Sequence, residues 1–211
     1  MICDFSYRHY REMLKKAMKT HSFYTFKDFP KVPDKRYILL RHDVDVQPEK
    51  ALQMAVIENA IGVTSTYFFR IHGPYSLIQE EALIKRIGRL GHEVGFHYEP
   101  MFYLIHKLAP DTVLEEIKLF EKKLNIEIKS VAAHLSSMAP SSVNLSGTEY
   151  LDVYSAPFFK EIKYISDSNK VWREGCMCKW IGLQQKLQIL VHPHWWNGMT
   201  LEEYVNRYRV L

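Results

Sequence analysis

The sequence predicts an α/β fold built on a parallel sheet or barrel. Short apolar runs alternate with amphipathic helical segments, at least through residue 134. Several of those runs end abruptly in ionisable residues, as strands do when they feed an active-site face. The chain has 211 residues, 47% hydrophobic and 25% charged, which suits one domain, 1–211, with a full core.

Residues 6–20 read as a helix, because Tyr10, Leu14 and Met18 recur at a spacing of four. His21 to Pro33 reads as a connector, so 1–34 is a helix and connector packed on the barrel. Tyr37 to Leu40 is a buried strand with a polar end, RHDVD. Pro48 opens the next helix and Gly62 stops it. Residues 63–69 form a β-branched and aromatic strand, then 79–91 an amphipathic helix ending in Gly91. Residues 92–99 give a third strand, and 111–124 the clearest helix, with Asp111 as N-cap. Strands follow at 128–134, 164–168 and 187–193, and a helix capped by Thr200 closes the chain at 200–211.

Composition excludes several classes of function. Net charge is +4 without a long basic block, so no nucleic-acid footprint is expected. No stretch reaches the apolar length of a membrane span. The charged N-terminus does not read as a signal peptide, which predicts a cytoplasmic protein. Three cysteines make no disulfide framework, and Cys176-x-Cys178 alone is too little for a closed zinc site. Ordinary reduced thiols are expected.

In a parallel sheet the strand ends share one face. Arg41 to Asp45, His97 with Glu99, His134, Asp167 and His192 would all gather there. Asp43 and Asp45 point the same way in an extended strand end, and two facing carboxylates call for a cation or a proton between them. His97 and Glu99 have the same spacing and are zinc-type donors. His92 reads instead as a satisfied core histidine. The HPHWW segment, 192–196, combines polar tips with large aromatics suited to a sugar-like ligand or to a core plug.

These motifs resemble the polysaccharide deacetylases, the chitin-deacetylase-like metal-dependent carbohydrate esterases. YILLRHDVD, its following helix and GVTSTYFF match that family's first motif and next strand in order and spacing. GHEVGFH, 91–97, matches the second motif closely, and LVH, 190–192, matches the fifth. YISDS resembles the fourth motif's strand and Asp, and the likeness covers roughly residues 35–200. In more detail the chain looks like an intracellular branch associated with bacterial surface-glycan clusters.

The resemblance implies a distorted (β/α) barrel of about seven parallel strands. It implies a divalent metal, zinc first, and an amino-sugar or glycan-precursor substrate. By this likeness Asp43 is the catalytic base, Asp45 and His97 are metal ligands, His192 is the catalytic acid and Asp167 pairs with it. His42, His194 and Trp195 are expected to face the substrate. Two departures stand out. Met101 occupies the place of the family's second metal histidine, and methionine does not replace it for a hard or borderline metal. The R-x-P-Y third motif is absent, with AAHLSS in that region. The third ligand is then Glu99 or His134, or His134 takes the missing arginine's task of holding Asp43. The expected activity is hydrolysis of a non-peptide C–N bond, foremost N-deacetylation of an amino sugar. The rivals are hydrolysis of a cyclic amide or ureide and a silent glycan-binding or scaffolding barrel.

Overall fold

The computed structural model describes residues 3–29, 31–32, 35–135, 143 and 145–196. The helix expected at 200–211, its cap Thr200 and part of the AAHLSS segment lie outside them. Among the described residues eight strands form one sheet, and every pairing is parallel. They are β1 (Ser22–Tyr24), β2 (Tyr37–Val44), β3 (Thr66–Phe69), β4 (Glu93–Tyr98), β5 (Ser130–Ala133), β6 (Leu151–Asp152), β7 (Lys163–Ser166) and β8 (Lys186–Val191). Seven of them follow the order β6-β5-β4-β3-β2-β8-β7, curled as a half-barrel.

The central strand is β2, buried along its whole length. It pairs with β8 on one edge. On the other edge β1 covers Tyr37 to Leu39 and β3 covers Arg41 to Val44. The connector expected over His21 to Pro33 therefore contributes a strand. Three residues are too short for a periodic signal, and only the exposed edge of β2 completes their hydrogen bonds.

The helices are α1 (Tyr7–Ala17), α2 (Pro48–Asn59), α3 (Glu81–Arg89), α4 (Pro100–His106), α5 (Thr112–Leu124), α6 (Ala156–Lys160) and α7 (Met177–Trp180). Ser6 caps α1, its hydroxyl accepting from the His9 amide at 3.1 Å. Gly62 ends the α2 turn at φ 77°, backbone that favours glycine. Asp111 precedes α5 as expected but makes no side-chain cap.

Alternation along β2 divides its side chains between two cores. Tyr37 and Leu39 point inward with Phe26, Phe68, Ala132 and Phe158. Ile38 and Leu40 point outward beneath Tyr10, Met13, Leu14 and Trp196. Burying each such large side chain contributes roughly 1.5–3 kcal/mol. Gly95, inward on β4, is demanded by packing: a Cβ there would sit 2.4 Å from the Phe68 ring.

Candidate active site

Parallel strands bring their C-terminal ends to one rim. A cavity of about 360 Å³ opens there. Asp43 and Asp45 from β2 and its end, His97 from β4, His134 after β5 and His192 after β8 line it, with Tyr154, Tyr164, Arg173 and Trp195 around them. Residues separated by up to 149 positions thus meet because each closes a strand.

Asp43 is gripped by Arg41 from two residues upstream. Arg41 Nε donates to Oδ1 at 3.1 Å and Nη2 to Oδ2 at 2.7 Å. The same guanidinium donates to the Tyr154 hydroxyl at 2.8 Å. Burial alone would raise the Asp43 carboxyl, but the Arg41 charge holds it below the ordinary range. Asp43 is therefore an oriented carboxylate at neutral pH.

Asp45 is met from three sides. His97 Nε2 lies 3.3 Å from Oδ1, His134 Nε2 3.7 Å from the same oxygen, and His192 Nε2 3.7 Å from Oδ2. Burial pushes Asp45 up, but His97 and the His192 charge hold it well below the carboxylate range. His97 donates its Nδ1–H to the Ala132 carbonyl at 2.8 Å, which fixes the ring with Nε2 facing Asp45. Burial lowers His134 to about 4, which leaves it neutral at neutral pH. Asp45 Oδ1 is buried without a hydrogen-bond partner. A buried carboxylate oxygen 3.3 and 3.7 Å from two imidazole nitrogens offers donors of the zinc type.

His192 stands on the far side. The buried Asp167 accepts from its Nδ1–H at 2.6 Å and from its backbone N–H at 3.0 Å. Trp196 Nε1 donates to the other Asp167 oxygen at 2.8 Å, completing the carboxylate's partners. Burial would depress the His192 imidazole, yet Asp167 raises it to about 9. His192 is thus protonated at neutral pH with Nε2 toward the cavity.

Three sequence expectations require correction. Glu99 is engaged elsewhere than with Asp45 and His97: Arg70 holds both its oxygens, at 3.0 and 2.7 Å. Arg70 also donates to the Asp45 carbonyl at 3.2 Å, so this pair fixes the backbone of the Asp45 turn. His42 does not face a substrate. Next to Asp43 in an extended strand, it points to the opposite face and bonds Glu58 at 2.7 Å in the outer core. His194 is buried beside Trp195 rather than lining the cavity. Trp195 does line it, while Trp196 is a core plug.

His92 is a core histidine, 3.1 Å from the Ser65 hydroxyl and 3.0 Å from the Ala55 carbonyl. Sequence reasoning placed Arg41 at the strand end without a role and missed Arg70. The spacing of Arg41 to Asp43 carried a signal, since residues two apart share a strand face. Arg70 carried none, because its partner is 29 residues away.

No family model matches the chain, and no curated protein matches it. Solved structures do. The peptidoglycan deacetylase PdaC from Bacillus subtilis aligns with TM-score 0.52 at 15% identity, covering 77% of each chain. The CE4 domain of a multidomain xylanase from the hindgut metagenome of Trinervitermes trinervoides aligns at 0.50 and 13%, covering 84% of this chain and 93% of that one. What the chain shares with them is the fold. A mutant of a CE4 family pseudoenzyme with restored activity aligns at 0.51 and 12%, over 84% of this chain. This chain spans 64% of that protein's length. Among the described residues no helix is long and apolar enough to cross a membrane.

Proposed function

We propose that this chain is a metal-dependent amide hydrolase that removes an N-acetyl group from an amino sugar or glycan precursor. The observation that carries the reading is the division of labour around one cavity. Asp45, His97 and His134 converge on one side, and the Asp167-held His192 stands on the other. Asp45, His97 and His134 would hold a divalent cation, zinc foremost. Such an ion supplies a Lewis acid that acidifies water and polarises an acyl oxygen.

The chain's own groups supply the proton traffic. Asp43, kept ionised by Arg41, accepts the proton of the attacking water. His192, kept protonated by Asp167, donates a proton to the leaving nitrogen. Trp195 and Tyr154 give the cavity aromatic walls suited to a sugar face. His134 serves the metal side because Arg41 already holds Asp43.

The test is hydrolysis of a panel of N-acetylated amino sugars and nucleotide sugars by the metal-loaded protein. Asp43→Asn should abolish turnover and keep the metal. Full activity in that variant would overturn the role of Asp43. Met101 favours a second reading, a silent glycan-binding barrel, which predicts glycan binding without turnover by the loaded wild type.

A further inference from the structure

Behind Trp196, away from the cavity, sulfur and imidazole donors from distant segments meet. Cys3 precedes α1, His9 lies on α1, and Cys176 immediately precedes α7. One ligand atom from each lies within 4.8 Å of the other two. His9 Nε2 stands 3.5 Å from Cys176 Sγ. The Met13 thioether, one turn further along α1, is 3.2 Å from the same sulfur.

The spacing suits a tetrahedral ion. With zinc–sulfur and zinc–nitrogen bonds of about 2.3 and 2.1 Å, tetrahedral angles place an imidazole nitrogen about 3.6 Å from a thiolate and two thiolates about 3.8 Å apart. Two thiolates and an imidazole form a soft set that selects zinc-class or softer cations over magnesium or calcium. Ordinary packing accounts for one half-buried cysteine, but two thiols and a buried imidazole with donor atoms within 4.8 Å of one another form a metal-type cluster.

We propose that Cys3, His9 and Cys176 form a second, thiolate-rich site for a zinc-class cation, separate from the carboxylate–histidine centre. The site ties the N-terminal segment to the 172–178 loop across 167 residues. It braces Trp196 from behind: the Phe5 ring lies 5.2 Å from Trp196, and His9 is stacked on it at 6.5 Å. Trp196 in turn holds Asp167, so the tie supports the group that orients His192.

The experiment is titration of the reduced full chain with cobalt(II) alone, followed by absorbance. A sulfur-to-cobalt charge-transfer band in the near ultraviolet is expected. It should vanish in Cys3→Ser and Cys176→Ser and persist in the Asp45→Ala, His97→Ala double variant. On the wild type, added zinc should slow alkylation of Cys3 and Cys176 but not of Cys178, reversibly with chelator. No band in a wild type with free thiols, a band that survives loss of both cysteines, or alkylation indifferent to zinc would each overturn the proposal. Because the two centres respond to different variants, failure here leaves the hydrolase reading intact, and the converse holds.

Discussion

Arg41 and Asp43 form a two-pronged ion pair within a single strand, the guanidinium and the carboxylate meeting at 2.7 Å with both groups buried. The pair is local in sequence because alternate residues of an extended strand share a face. It leaves one face of the Asp43 carboxylate toward the cavity and keeps the group charged.

Arg41→Lys preserves the charge but loses the fork that sets the carboxylate plane. The proposed hydrolysis should fall roughly 10- to 100-fold with the metal retained, the range seen for outer-shell partners at metal sites. Rate and metal content measured together check this. Unchanged turnover would show that Asp43 needs no bidentate partner.

The proposed metal assignment separates Asp45 and His97 from Glu99, which pairs with Arg70. Asp45→Ala and His97→Ala should weaken zinc binding by more than about 100-fold. Glu99→Gln should stay within the roughly 10- to 100-fold range of an outer partner. Competition against a chelating dye gives the three affinities. Glu99→Gln losing zinc as completely as Asp45→Ala would restore Glu99 as a ligand.

Gly95→Ala places a methyl group 2.4 Å from the Phe68 ring, inside a packed barrel. Neither a buried ring nor the Ser130 carbonyl 3.0 Å away gives freely. Destabilisation of about 1–3 kcal/mol is expected from urea unfolding, the usual range for overpacking. A wild-type midpoint would mean that the barrel interior is looser than its packing implies.

Glu58 predicts how the fold responds to acid. Its buried carboxylate accepts from Tyr67 at 2.9 Å and Ser65 at 2.6 Å, bonds His42 at 2.7 Å, and takes the Tyr10 hydroxyl. Burial would raise it, but His42 and the hydrogen bonds bring it from 4.5 down to about 2. A depressed carboxyl stabilises the fold fully above its unfolded value. That stabilisation, roughly 3 kcal/mol, drains away as pH falls from 4.5 to about 2. Unfolding of wild type and Glu58→Gln compared between pH 7 and 3 should show a shallower acid slope in the variant. Identical slopes would remove Glu58 as the source.

Much of the site was legible because its logic is local. A strand's polar end announces itself, and a parallel arrangement sends Asp43, His97 and His192 to one rim, with Asp167 buried behind His192. The same alternation that pairs Asp43 with Asp45 turns His42 away, so that correction too was latent in the sequence. Strand β1 was not, since three residues acquire strand geometry only from the edge they join.

The sequence by itself determined the α/β architecture and the residue types at the strand ends, because helix and strand periodicities depend on neighbours a few positions away. Tertiary structure alone decided among competing partners. It gave Glu99 to Arg70, left His134 facing Asp45, and carried Cys3 and His9 to Cys176. Those choices depend on distances across the folded chain, where charge pairing and metal ligation act, and no local pattern encodes them.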